Sequence, residues 1–402
     1  MPRRVTAAIV VLCLLVPLAL VGGVWLGGNP PEWVPDPVRT AVLGDDAGRT
    51  VDDAVETVAD AYVEELSEEE LADRAISGLI TSLKDPFSAY FDPQEYKSFL
   101  QSSEGEFQGV GISVTRVERG LRVVRVFEEA PAREAGLRPG DVIVRAADRG
   151  LGGLPEGAGA ALIQGDAGTR VPLTWVRDGE EISREVERAN IRVPVVESSL
   201  ERVDGEPLGV VSLATFSSGA HAQLYEAMRG LLEQGAEGFV LDLRNNGGGL
   251  VTEAQLVASA FIAEGPIVTT RGRSVPTQTL SATGDPVAPD VPVVVLVNEN
   301  SASASEIVTG ALEDRRDATV VGKETFGKGV FQRVIELPNG GALDLTAGVY
   351  LTPDGRRIGG AGNGEDENGL TGIKPDVEAS DDPETDPDEA LEEALETLAG
   401  EL

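Results

Sequence analysis

Two short stretches carry residues whose types and spacing could do chemistry. Asn298 to Glu306 reads N-E-N-S-A-S-A-S-E, and Thr325 to Gly329 reads T-F-G-K-G. An apolar run, Val291 to Val297, stops at Asn298, and beyond the serines Ile307, Ala311 and Leu312 recur with helical spacing. This pattern predicts strand, turn and helix, with Ser301, Ser303 and Ser305 near the helix N-terminus. Unpaired N–H groups and the helix dipole favour developing negative charge there. Ser303-Ala304-Ser305-Glu306 also fits S-x-x-E, the capping box of an ordinary helix start, and spacing alone does not choose among the three serines. Lys328 lies between two glycines and is flanked by Phe326, Val330 and Phe331. Apolar surroundings penalise its charged form, so its pKa falls and it can serve as a base. The chain has one histidine, His221, and one cysteine, Cys13, so a reactive serine here is best served by a lysine.

In combination the two stretches resemble the active site of the C-terminal processing (tail-specific) serine peptidases. In that family S-A-S-A-S-E is followed by G-x-x-T-F-G-K-G-x-x-Q, matched here by Ser301–Glu306 and Gly322–Gln332, with the family's serine-to-lysine spacing. The resemblance runs from about Val51 to Asp376. It implies Ser303 as nucleophile, Lys328 as general base and Gln332 as the residue that helps orient the lysine. It also matches Arg244-Asn245-Asn246-Gly247-Gly248-Gly249 to the family's D-L-R-x-N-x-G-G turn. That turn implies one oxyanion donor, the N–H of Gly248 with Gly249 as the close alternative, and Ala304 N–H as the second. The glycines lack both the G-x-G-x-x-G spacing and the lysine of a phosphate cradle.

Glu106 to about Ala189 looks like a PDZ domain. Val123 to Phe127 reads as a strand, and A-P-A-R-E-A-G-L-R-P-G-D-V-I-V, Ala130 to Val144, as short helix, turn and strand. Gly109-Val110-Gly111-Ile112 would then be the carboxylate-binding loop, whose N–H groups converge on an anionic chain end beside an edge strand. One position departs from the resemblance. Gln164 stands where relatives often carry an arginine that in some links this domain to the active site.

The remaining elements must position these groups. Leu208 to Leu213 and Phe239 to Leu243 read as buried strands. Leu224, Met228, Leu231 and Leu232 mark one helix, and Leu250 to Phe261 spans the next, so a βα core is expected. Leu343 to Leu351 predicts a late strand. Arg271 to Asp290, rich in Pro, Ser and Thr, is expected as an exposed loop, and Ile358 to Gly369 as a mobile one. Helical spacing recurs from Val51 to Leu100. The segment S-L-K-D-P-F-S-A-Y-F-D-P, from Ser82, resembles the family's N-terminal helical signature and also reads as a helix stop with proline turns.

Composition bounds the rest. The 402 residues suggest two or three domains, and a formal charge of −35 argues against nucleic acid, which calls for clustered Lys and Arg. Acid at this density suits solubility. Arg3 and Arg4 precede an apolar run from Val5 to about Leu26, long enough to span a bilayer with the N-terminus in the cytoplasm. Cleavage as a signal peptide, giving a secreted protein, is the alternative. Cys13 lies within that run, so the remainder has no disulfide or cysteine metal site, and His221 alone cannot build a histidine-rich zinc site.

The expected organisation is a cytoplasmic stub (1–4), a transmembrane anchor (5–28), a linker (29–50) and a helical region (51–105). A PDZ domain (106–189) inserted before an α/β peptidase core (190–380) follows, then an acidic tail (381–402), with one weak helix over Glu389 to Leu402, expected as a solvated appendage. The expected activity is an extracytoplasmic, cell-membrane serine endopeptidase without metal or organic cofactor, cutting proteins or peptides near free C-termini. Neither homo-oligomer nor adaptor can be read from the sequence. Two readings of other classes stand beside it: a catalytically silent PDZ scaffold, and a hydrolase using His221 in a Ser-His-Asp triad.

Overall fold

The computed structural model describes residues 46–128, 130–154, 158–359, 372–381 and 388–402. The expected membrane span, the linker up to residue 45 and most of the Gly- and Asn-rich loop lie outside the described residues. No helix among the described residues is long and apolar enough to cross a membrane. The chain divides into two compact units, Met1–Leu83 and Lys84–Leu402. In the first, helices α1 (Asp46–Ala61) and α2 (Glu68–Ser82) are described, so the helix begins inside the expected linker. Ser67 caps α2 with a full capping box to Glu70.

The second unit opens with β1 (Ala89–Phe91) and α3 (Pro93–Ser103), then β2 (Glu106–Gly109). A small antiparallel domain follows: β3 (Ile112–Val117), β4 (Gly120–Val126), α4 (Pro131–Glu134), β5 (Val142–Ala146), β6 (Arg149–Gly150), α5 (Ala158–Ile163), β7 (Arg170–Arg177) and β8 (Glu180–Glu187). Its strands run β3-β4-β5-β7-β8, with β6 on β5, so β3 is an edge. Its own core gathers Val123, Ile143, Leu173 and Trp175. Strand β9 (Ala189–Arg192) returns beside β2 as a two-stranded stem.

The core domain is built on β10 (Val196–Val203), β11 (Glu206–Leu213), α6 (Ala220–Glu233), β12 (Gly238–Asp242) and α7 (Val251–Ser259). It continues with β13 (Pro266–Gly272), β14 (Gln278–Ser281), β15 (Val293–Val297), α8 (Ala304–Arg316), β16 (Val320–Gly322), β17 (Val330–Glu336), β18 (Ala342–Leu351), β19 (Val377–Glu378) and α9 (Glu389–Gly400). One sheet has the order β10-β11-β12-β15-β16-β19, parallel except for the β10–β11 pair. Every residue of β12 and β15 is buried, which is why Phe239–Leu241 and Val293–Val297 read as unbroken apolar runs. Residues of α6, α7 and α8 pack with one face.

Two expectations are corrected. The acidic tail is not a solvated appendage: Ala390, Ala394, Leu395 and Leu398 of α9 are buried against Leu208, Val210, Val240, Val294 and Leu296, covering the sheet's second face. The Pro, Ser and Thr-rich loop contains β14, which pairs with β13 in a second, antiparallel sheet completed by β18, β17 and β1.

Candidate active site

Three adjacent parallel strands deliver the site. The chain leaves β12 into the glycine turn, β15 into the serine turn and β16 into the lysine loop, so all three arrive at the carboxyl end of one sheet. Open α/β sheets characteristically place ligands at that end.

The serine alternatives separate by their partners. Ser301 Oγ donates to Leu243 O at 2.8 Å and accepts the Asn298 N–H at 2.9 Å. Ser305 Oγ donates to Asn246 O at 2.8 Å. Both are wholly buried and bolt the serine turn to the glycine turn. Ser303 is 7% exposed and lines a cavity of about 650 Å³ together with Lys328. Its backbone has φ 56° and ψ −109°, a conformation that costs a non-glycine residue roughly 1–3 kcal/mol and recurs at functional sites. Neighbouring bonds hold it there: Ser303 N–H to Glu306 Oε2 at 2.8 Å, Ala302 N–H to Asn246 O at 3.0 Å and Ile307 N–H to Ser303 O at 2.9 Å. The Tyr350 phenol lines the same cavity as Ser303. Burial pushes the phenol up to about 12.

Lys328 extends its Nζ over the Phe87 ring, 5.1 Å from the centroid. Burial pulls its pKa down, while the carboxylates of Asp344, Asp85 and Glu306 oppose that pull, and burial wins. Asp344 lines the same cavity, and burial raises its own pKa against the pull of Lys328. Asp85 loses solvation too, but the Ser88 hydroxyl at 2.6 Å and the Phe87 N–H at 3.0 Å hold it below its ordinary value. The lysine loop is pressed against the strand end beyond β18: a Cβ on Gly329 would lie 1.3 Å from Ile358 O, so only glycine fits.

Other expected residues take particular places. Gln332 lines the cavity, but its amide donates weakly to Thr346 Oγ1 at 3.4 Å, with no hydrogen bond to Lys328 among the described residues. Gly248 does not offer a free donor, because its N–H is given to Asn246 Oδ1 at 2.9 Å. It contributes space instead. With φ +105°, it keeps clear a position 3.0 Å from Ala304 N and 2.9 Å from Ser303 Cβ that a side chain would fill. Gly248 O and the Leu250 N–H both pair with Phe216, which turns the Gly249 N–H away from that strand.

The triad alternative is not met. His221 lies in the first turn of α6, its Nδ1 2.8 Å from Oε2 of the buried Glu253. No histidine is among the residues lining the Ser303 cavity.

In the small domain the expected carboxylate loop links β2 to the edge strand β3. Its carbonyls are engaged, Val110 O by the Ala132 N–H at 2.9 Å and Gly111 O by the Phe127 N–H at 3.1 Å. At Gln164, the expected arginine is absent. Arg188 instead caps the end of α5, donating to Ile163 O at 2.8 Å and Leu162 O at 3.2 Å.

Sequence reasoning missed Tyr350, Asp344, Asp85 and Phe87. Asp85 and Phe87 fall within the segment read as a family signature. Asp344 and Tyr350 lie on an expected strand, but nothing local says that it faces the serine.

The serine turn, the lysine loop and the separate small domain belong together, and comparison with known proteins gives their family; the chain spans a little under two thirds of the length of several relatives it matches. Residues 207–379 match Peptidase family S41, 109–187 match a PDZ domain, and 40–95 match the activating protease CtpB N-terminal domain. A carboxy-terminal-processing protease of Bartonella bacilliformis is 37% identical over 317 residues, covering 77% of this chain and 72% of the relative. A probable CtpA-like serine protease of Staphylococcus haemolyticus is 34% identical over 316 residues, 78% of this chain and 63% of its own length. Among solved structures, a photosystem II D1 C-terminal processing protease aligns over 88% of this chain and 97% of its own, at 29% identity and a TM-score of 0.49. The chain belongs to Peptidase family S41.

Proposed function

We propose that this protein is a serine endopeptidase that cuts protein substrates near their C-termini by a Ser303/Lys328 mechanism. One observation carries the reading: of three adjacent serines, two spend their hydroxyls on backbone carbonyls, and only Ser303 opens on the cavity that Lys328 shares. Neutral Lys328 takes the Ser303 proton as Oγ attacks the scissile carbonyl. The proton passes to the leaving amine as the C–N bond breaks, and a water activated by the same amine then releases the acyl group. Ala304 N–H and Gly249 N–H are the donors for the developing oxyanion. Gln332 takes its part by steadying the lysine once substrate fills the cavity.

The PDZ loop, Gly109 to Ile112, would hold the substrate's free carboxylate while the chain end adds to the β3 edge. The apolar run over residues 5–28 and the two arginines before it support a single-pass anchor with the catalytic part outside the cytoplasm.

The test is turnover of an unstructured peptide with a free C-terminus. Ser303→Ala, Lys328→Ala and the double variant should lose activity to a similar extent, because members of one catalytic unit are not additive. Lys328→Arg should fail as well, since a guanidinium does not deprotonate at usable pH. Turnover retained by Ser303→Ala would end the assignment.

A further inference from the structure

Glu306 first reads as half of a capping box, yet it does more than a cap requires. Its side chain is wholly buried and receives four donors. Oε2 accepts the N–H of Ser303 at 2.8 Å and the N–H of Lys328 at 2.9 Å. Oε1 accepts the Thr325 hydroxyl at 2.6 Å and the Gly327 N–H at 2.8 Å. A cap needs the first bond alone. The other three come from the lysine loop, 19 to 22 residues downstream. Burial raises the pKa of this carboxyl, and the four donors pull against it without cancelling the rise. Three of those donors are backbone N–H groups, which cannot accept a hydrogen bond from a protonated carboxyl. Thr325 Oγ1 also accepts the Ile373 N–H at 2.7 Å and directs its own hydrogen to Glu306. The arrangement therefore suits the ionised form.

We infer that Glu306 is the positioning residue that sets the spacing of nucleophile and base. One ionised carboxylate grips the backbone of Ser303 and the backbone of Lys328 and, among the described residues, makes no hydrogen bond to either reactive side chain. The inference rests on the Ser303/Lys328 reading and adds what keeps that pair in register. It also supplies a second effect. Lys328 is faced by the carboxylates of Glu306 on α8, Asp85 on the turn before β1 and Asp344 on β18, with the Tyr350 phenol of β18 nearby. Each anion favours the protonated lysine.

The experiment measures kcat and KM against pH for the full chain and for Glu306→Gln, Thr325→Val, Ser303→Ala and Lys328→Ala, with thermal midpoints alongside. The glutamine keeps the volume but turns an NH₂ group toward two of the donors, so the lysine loop shifts. A misplacement of that kind should lower kcat by about 10²-fold with KM within about threefold. Because one anion is gone, the acid limb of the profile should move to lower pH. Thr325→Val removes one donor and no charge, so kcat should fall while the limb stays in place. A folded Glu306→Gln protein with near-wild-type kcat overturns the inference, as does a loss of kcat with an unmoved limb. If Glu306→Gln does not fold, Thr325→Val decides, and unchanged kcat there overturns it. Turnover by Ser303→Ala or Lys328→Ala would instead sink the reading beneath it, whatever Glu306 does.

Discussion

Lys328 is where competing effects on one residue decide the chemistry. Removal from water disfavours its ammonium, three carboxylates favour it, and the balance falls below the ordinary lysine value of 10.5. The base form is the neutral amine, so activity should rise with pH through the Lys328 pKa. Asp344 contributes only charge to this balance, since it makes no hydrogen bond or ion pair with the lysine among the described residues. Asp344→Asn should therefore move the acid limb of kcat/KM to lower pH while leaving the high-pH plateau within about threefold of wild type. The sign follows from linkage: removing an anion destabilises the ammonium, and the neutral amine persists to lower pH. The check is a pH–rate profile on one peptide substrate. A limb displaced to higher pH, or not displaced at all, would mean that Asp344 does not act on Lys328. Asp85→Asn should move the limb the same way, though it also weakens the bonds to Ser88 and Phe87 that shape the turn under the lysine.

At the scale of elements, the parallel strands were legible because burial on both faces leaves an uninterrupted apolar run, as in Phe239–Leu241 and Val291–Val297. The serine turn and glycine turn were legible because their types and spacing are local. What failed was whatever depends on a distant partner. In α9 the apolar residues Ala390, Ala394, Leu395 and Leu398 keep helical spacing, but acidic neighbours dominate the composition and suggest solvent. The element is also held by Arg244. That guanidinium reaches from the glycine turn to Asp388 at 2.7 Å and Asp381 at 3.0 Å, while pairing with Asp242 at 2.7 Å. Arg244 draws Asp388 from 3.8 down to about 2. The C-terminal helix thus closes the second face of the sheet and is tied to the turn beside the nucleophile. Leu398→Ala should destabilise the protein by about 2–5 kcal/mol, as a fully buried leucine truncated in a packed layer does. Urea unfolding measures this, and a midpoint unchanged from wild type would return α9 to the status of an appendage.

For the whole molecule, the question is how binding at the small domain reaches a serine in the core. A continuous path exists. Phe99 and Ser103 of α3 line the Ser303 cavity, and the chain then runs through β2 to Gly109 and the loop ahead of β3. The Val193 N–H extends the stem by one bond to Gly105 O at 3.1 Å, and the Ser218 N–H of the core reaches Ser103 O beside the cavity at 3.0 Å. A chain end paired to the β3 edge would lie at the far end of this stem, with the segment upstream of it free to enter the cavity. Recognition then depends on the terminal carboxylate, because an amide offers the loop N–H groups no charge. A hydrogen bond to a charged group is worth about 1.5–3 kcal/mol, so amidating the substrate should lower kcat/KM about 10- to 100-fold. Paired free-acid and amidated peptides, identical elsewhere and assayed with the full chain, make the measurement. Equal kcat/KM for the two would mean that the domain does not read the chain end. The serine chemistry would stand, and the proposed preference for chain ends would lose its support.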